Sequence, residues 1–191
     1  MHETGKSMIR RSCDSRFATR YIKGAAIDIG SGDDSLVLYA YMFPLLTSVR
    51  SWDVDDGDAM RMDGVRSNQY DCVHASHCLE HLVDPETALQ NWIRICKSGG
   101  HLVIVVPDFE QYEQGLWPSR FNPDHKWAFS ISGVKQHNRH IVLLNYLHYF
   151  LMLKVLKIEL VERAYDYAAS TRDQSLSIAC EPAIEIIAQK R

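Results

Sequence analysis

The sequence predicts an α/β protein: a single domain on a doubly wound, mostly parallel sheet, with an antiparallel last strand and one trimmed edge. Three observations carry this reading. The apolar run Ala25–Ile29 ends in Gly30-Ser31-Gly32, as a buried parallel strand does when its carboxyl end turns tightly and lets backbone amides face a ligand. His101–Val106 is almost wholly apolar with three valines, as a strand covered on both faces must be. Around these runs, strand-like and helix-like signals alternate, which favours helices layered on a sheet.

The elements follow in order. Residues 1–20 are polar, carry Arg10, Arg11, Arg16 and Arg20, and read as a partly frayed N-terminal arm ahead of a domain spanning 21–191. The strand Ala25–Ile29 leads to a short helix over Ser35–Met42, stopped by Pro44, and then to a strand at Ser48–Val54 that ends in acids. A further strand covers Tyr70–Ala75. The helix from Asp84 to about Ser98 has the clearest local signals: Asp84 caps the free amides, Pro85 sits where its missing donor costs nothing, and Glu86 suits the positive end. Leu89, Trp92, Ile93 and Cys96 recur at helical spacing, and Gly99-Gly100 supplies a left-handed stop.

Pro107 closes the strand His101–Val106, and the texture then changes. Residues 109–140 include Trp117, Arg120, Asn122, His125 and Trp127 with little periodicity, and such a long segment reads as a substrate-covering insertion. A helix at about Ile141–Lys154 follows, with Tyr146, Tyr149 and Phe150 as core. Strands at Lys157–Tyr167 and Ala183–Ala188 form an antiparallel pair. His137-Asn138-Arg139-His140 reads as a solvated helix start.

Composition narrows the function classes. A chain of 191 residues with 46% apolar residues supports one sizeable core. It has no apolar run near membrane-spanning length and no signal-peptide pattern, so a cytoplasmic protein without a membrane span is expected. Five cysteines, odd in number and without paired short spacing, suit free thiols in a reducing compartment. The net charge of −3 and the lack of a long basic run disfavour a nucleic-acid partner.

Two acids extend the glycine turn into a nucleoside site. Asp53, at the tip of the neighbouring strand, is placed to accept both ribose hydroxyls, and Asp58 of Gly57-Asp58-Ala59 to accept from an adenine amino group. The phrase Ser76-His77-Cys78-Leu79-Glu80-His81-Leu82-Val83-Asp84-Pro85 follows, then Trp92-Ile93-Arg94 and Lys97-Ser98-Gly99-Gly100-His101-Leu102. In this order the phrases resemble the class I S-adenosylmethionine-dependent methyltransferases, in particular the methyltransferase type 11 group, from about Tyr21 to Val106.

The resemblance implies a Rossmann-like sheet. Its expected order is Ser48–Val54, Ala25–Ile29, Tyr70–Ala75, His101–Val106, Ala183–Ala188, Lys157–Tyr167. It also implies S-adenosyl-L-methionine as cofactor, held by Asp28, Gly30, Ser31, Gly32, Asp53, Asp58, Ala59, Ser76 and His77. The chain departs from the group in two ways. Asp34 stands where a third glycine is usual, and only Val54-Asp55-Asp56 separates the ribose acid from the Gly-Asp-Ala phrase. The first places a carboxylate that either repels the cofactor's carboxylate or accepts from its ammonium; the second implies the trimmed edge.

For proton chemistry, His125 and His77 are the candidates, with a satisfied turn or loop histidine as the plain alternative for each. The string His77-Cys78-Leu79-Glu80-His81 also fits the H-x-x-E-H zinc pattern, but Asp84-Pro85 opens a new helix too soon for a zinc hydrolase, so no metal is expected. The Glu-His pair is structural at that turn in the resembling group. The expected reaction is methyl transfer to a small polar acceptor, a sugar or nucleotide-sugar hydroxyl suiting the aromatic and polar segment. A homodimer is compatible with the sequence. The alternatives are a non-catalytic cofactor-binding subunit that regulates or scaffolds a partner, and a nicotinamide-dependent oxidoreductase, which Asp33-Asp34 disfavours by standing where a longer glycine fingerprint belongs.

Overall fold

A computed structural model describes residues 3–169 and 171–191. In chain order the strands are β1 (Gly24–Ile29), β2 (Leu46–Trp52), β3 (Tyr70–Ser76), β4 (Cys96–Pro107), β5 (Ala128–Ser130), β6 (His140–Val142), β7 (Leu153–Arg163) and β8 (Glu181–Lys190). The α-helices are α1 (Glu3–Ser12), α2 (Pro85–Ile95) and α3 (Leu143–His148).

Six strands make one sheet in the order β2-β1-β3-β4-β8-β7. β2, β1, β3 and β4 run parallel, and β8 is antiparallel to both neighbours, Val103 opposing Ile187 and Ile158 opposing Ile186. This is the expected order, with β2 exposed as the trimmed edge. β4 and β8 carry the buried centre: Leu102 to Val106 and Ala183 to Ala188 are almost fully enclosed. Each large aliphatic side chain buried in this way contributes about 1.5–3 kcal/mol relative to exposure.

Capping works as expected on α2. Asp84 Oδ1 accepts from the Glu86 and Thr87 amides at 3.0 and 3.2 Å. The buried face is Leu89, Trp92 and Ile93, and the Trp92 indole donates to Ala59 O at 2.9 Å. The helix ends at Ile95, earlier than the expected Ser98. Cys96 pairs with Tyr70 on β3, and Lys97–Gly100 form an irregular start to β4 rather than a helix stop. The edge of the sheet draws the chain out of the helix before its glycines arrive.

Other boundaries also differ. The helix over Ser35–Met42 is a 3-10 segment, Leu36–Met42, capped by Ser35. The second strand is shifted to Leu46–Trp52, and Val54 is exposed. The expected helix over Ile141–Lys154 splits into β6, the short α3 and the start of β7. Tyr146 and Phe150 pack on the core, but Tyr149 is exposed. His140 is not solvated: it is buried, with Nε2 2.9 Å from Ser130 Oγ, while His137 stacks on Trp117 at 4.8 Å.

The expected N-terminal arm is docked, apart from residues 1–2, which lie outside the described residues. Ser7 Oγ donates to Glu181, Arg10 forks onto Glu181 and Glu185, and Arg11 Nε donates to Glu185 at 3.0 Å. α1 thereby lies across the amino-terminal half of β8. No helix among the described residues is long and apolar enough to cross a membrane.

Candidate active site

The parallel strands deliver their carboxyl ends to one edge, where open α/β sheets bind ligands. At the tip of β1, Trp52 O accepts from Gly30 N at 2.9 Å and from Ser31 N at 3.3 Å, so the turn is stitched to β2. Gly30 has a φ of +71°, and an added Cβ would lie 2.6 Å from Cys78 Sγ and 2.7 Å from Cys78 Cβ. A side chain there has no room. Gly32 also has positive φ, but its nearest neighbour would be Asp53 Oδ2 at 3.9 Å.

Two cavities adjoin at this edge. The larger, about 530 Å³, is lined by Gly30, Asp53, Asp58, Ala59, His77 and Leu82, among others. The smaller, about 340 Å³, is lined by Ser31, Gly32, Ser76, Glu80, Tyr112 and His125, among others. Gly30, His77 and His81 belong to both walls. Every residue expected to touch the cofactor therefore lines one cavity or the other, with one exception.

The exception is Asp28, which lines neither cavity. It is buried inside the sheet, where Oδ2 accepts from Leu36 N at 2.7 Å and from Ser35 Oγ at 3.1 Å, and Oδ1 faces His74. Its carboxylate is thus taken up by the turn after β1 and by His74 of β3.

Asp53 Oδ2 accepts from Gly32 N at 2.6 Å and Oδ1 from Val54 N at 2.7 Å. Each oxygen keeps a second lone pair, so the carboxylate can still accept from a sugar. Asp34 lines the smaller cavity and accepts from Gly5 N at 3.0 Å and from Tyr39 OH at 2.6 Å, which ties the usual glycine position to α1.

The two candidate histidines differ. His77, at φ +52° with Nδ1 3.2 Å from Ser76 Oγ, is pushed down to about 3 by burial and by the nearby His125, Lys6 and His81. It is therefore a neutral and weak base at neutral pH. His125 is held from behind: Nδ1 lies 2.6 Å from Glu113 Oε1, leaving Nε2 as the free ring nitrogen. The loop that carries His125 is docked through Lys126 N and Trp127 N, which donate to Glu80 O at 2.8 and 3.2 Å. The 109–140 segment is partly core as well, since Phe109, Tyr112, Ala128 and Phe129 are buried and β5 pairs with β6.

Sequence reasoning missed Glu113 altogether and read Glu80 as structural. Burial, with Glu113 and Glu3 near, pushes the Glu80 carboxyl up to about 8. The H-x-x-E-H string was the signal for Glu80; nothing local marks Glu113.

Comparison with known proteins decides the family. A family model described as a methyltransferase domain matches residues 14–141, more than half of the chain. The chain belongs to this methyltransferase family. No curated protein sequence matches this methyltransferase.

Its fold is that of the class I S-adenosylmethionine-dependent enzymes. It is similar to a chain in the complex between the Haloferax volcanii Trm112 methyltransferase activator and a methyltransferase, at 13% identity and TM-score 0.68, covering 99% of this chain and 90% of that one. It is also similar to an S-adenosylmethionine-dependent methyltransferase from Archaeoglobus fulgidus, at 21% identity and TM-score 0.65, over 100% and 95% of the two chains. A third is the YcgJ protein from Bacillus subtilis, at 15% identity and TM-score 0.58, over 100% and 99%. These likenesses concern the fold.

Proposed function

We propose that this methyltransferase moves the methyl group of S-adenosylmethionine to a hydroxyl of a small polar acceptor, a sugar or nucleotide sugar suiting the site best. The observation that carries the reading is the pair of cavities meeting at Gly30, His77 and His81. The larger has an acid for the ribose, Asp53, and one for the adenine, Asp58. The smaller has the aromatic rings of Tyr112 and Phe121 beside Asn122 and His125, a mixture suited to a sugar face and its hydroxyls.

The reaction is a direct displacement. The acceptor oxygen forms a bond to the methyl carbon as the carbon–sulfur bond breaks, and S-adenosylhomocysteine leaves with its sulfur neutral. The hydroxyl proton passes to His125 Nε2, with Glu113 holding the ring in orientation. The protein's main contribution is alignment of oxygen, carbon and sulfur. The five free cysteines suit a reducing compartment, the cytoplasm, for this work.

Calorimetry with S-adenosylmethionine, S-adenosylhomocysteine and NAD tests the donor site, and labelled methyl transfer to a panel of sugars and nucleotide sugars tests the acceptor. The reading requires saturable binding of the first two ligands and a labelled ether product. His125→Ala should lower turnover about 10²–10⁴-fold with S-adenosylhomocysteine affinity little changed. Binding without turnover on any acceptor favours the scaffolding reading, in which cofactor occupancy serves a protein partner. The Haloferax complex with an activator gives that second reading its one point of support.

A further inference from the structure

The 3-10 turn after β3 places Glu80 beside His81, and the 109–140 segment brings His125 against them from far along the chain. One ligand atom from each of the three lies within 4.8 Å of the other two, and His81 Nε2 is 3.9 Å from Glu80 Oε1. We propose that Glu80, His81 and His125 hold a divalent transition-metal ion in the wall of the smaller cavity, with its open positions turned to the acceptor.

Glu80 supplies the first independent support. The residue is fully buried, and its side-chain oxygens find no hydrogen-bond partner in any other residue. A buried carboxyl left without such partners is costly, and a bound cation is one of the few groups that satisfies both oxygens. The backbone of Glu80 is not at fault, since its carbonyl already accepts from Lys126 N and Trp127 N.

The second support lies behind the ligands. Metal-binding imidazoles usually donate their other nitrogen to a carboxylate or a carbonyl, which fixes the tautomer and aims the ring. His125 does this through Nδ1 to Glu113, itself fully buried. The carboxyl groups of Glu3, in the same cavity wall, and of Glu113, on His125, lie near the position, and the nearby Lys126 ammonium is held 2.5 Å from His81 O.

Two imidazoles and one carboxylate suit Zn²⁺, Mn²⁺, Fe²⁺ or Co²⁺, and three protein ligands leave positions open for an oxygen substrate. Ligands at about 2.0–2.2 Å from an ion stand roughly 3–3.6 Å apart, so the three groups must close by about 1 Å. His81 is partly exposed and has room to move. The arrangement is not that of a zinc peptidase, because His77 is not among the three and the third ligand comes from a loop.

The binding site stands on its own geometry; only its catalytic meaning rests on the hydroxyl-acceptor reading. There, the ion would bind the acceptor oxygen and lower its pKa so that the proton leaves to bulk water, and His125 Nε2, the proton acceptor of the metal-free site, would be a ligand.

The test is a Co²⁺ titration of the full chain after treatment with chelator. The expected result is one ion per chain, a visible absorption band of nitrogen and oxygen ligands, and displacement by Zn²⁺. Glu80→Gln and His81→Gln should each weaken binding at least about tenfold, and Glu113→Gln by about 10–100-fold. If Glu80→Gln fails to fold, the wild-type spectrum and Glu113→Gln carry the decision. Absence of saturable binding, affinity unchanged in these variants, or thiolate charge-transfer absorption from the cysteines overturns the proposal. Methyl transfer that persists in chelator with no ion bound overturns the ion's catalytic role and leaves the transfer reading intact. Stoichiometric metal without any methyl product does the reverse.

Discussion

Asp28 Oδ1 lies 2.5 Å from His74 Nδ1, both residues buried and in the wall of neither cavity. His74 Nε2 is in turn 3.0 Å from an Arg11 guanidinium nitrogen. An acid at the end of the glycine strand thus fastens β1 to β3 and, through His74, to α1.

Asp28→Asn should therefore act on stability. Losing a charge-assisted partner at a buried site costs about 1.5–3 kcal/mol. Urea denaturation should show that loss, while S-adenosylhomocysteine affinity of the folded variant stays within a few-fold. A large affinity loss at unchanged stability would return Asp28 to the cofactor site.

Acid should weaken the docking of α1 through Glu185. Burial pushes this carboxyl up, but Arg11, Arg10 and Lys157 outweigh it and hold the group at about 2, against an ordinary value of 4.5. A depressed carboxyl contributes its full stability above the unfolded value and loses it as pH falls toward the folded one. Between about pH 4.5 and 2 the protein should lose about 3 kcal/mol from this group. Glu185→Gln should flatten that part of the stability profile, and a profile unchanged in the variant would refute the role.

The two turn glycines should separate. Gly30→Ala meets Cys78 and forces a left-handed conformation on a residue with Cβ, together costing about 2–4 kcal/mol. Gly32→Ala faces only the conformational cost, about 1–2 kcal/mol. Thermal melts of the two variants would decide it, and equal losses would contradict the assignment of Gly30 as the crowded position.

Asp53→Ala should weaken S-adenosylhomocysteine by about 1.5–3 kcal/mol, the scale of hydrogen bonds to a charged group. Calorimetry reads this directly. Gly32→Ala supplies the comparison, because Asp53 also accepts from the Gly32 amide and turn loosening alone would affect both variants alike.

On the acceptor side, Phe121→Ala should raise the acceptor KM while leaving cofactor affinity within a few-fold. Phe121 lines the smaller cavity and is absent from the larger one's wall. A matched loss of cofactor binding would show that the segment supports the whole edge.

What was legible in the sequence was local. The cap of α2 was readable because Asp84, Pro85 and Glu86 act within one turn, and the turn at Gly30 because an apolar strand ends there. The register of β4 was not: Cys96 looks like the last apolar position of a helix until Tyr70 offers it a strand partner. The arginines at 10 and 11 look solvated because Glu181 and Glu185 stand at the far end of the chain. The 109–140 segment shows no periodicity because it buries single residues such as Phe109 and Tyr112, not a stripe. Glu113 and Glu80 face His125 only after the sheet has set the distance between three separate loops.

The smaller cavity takes part of its wall from opposite ends of the chain: Glu3 and Thr4 from α1, Asp173 and Leu176 from the approach to β8. None of these four lies in the stretch 14–141 that carries the family likeness. The wall of this cavity is thus assembled from both ends of the chain as well as from the family stretch. A change in either terminal segment would reshape this cavity without replacing any residue of the glycine turn or either of Asp53 and Asp58.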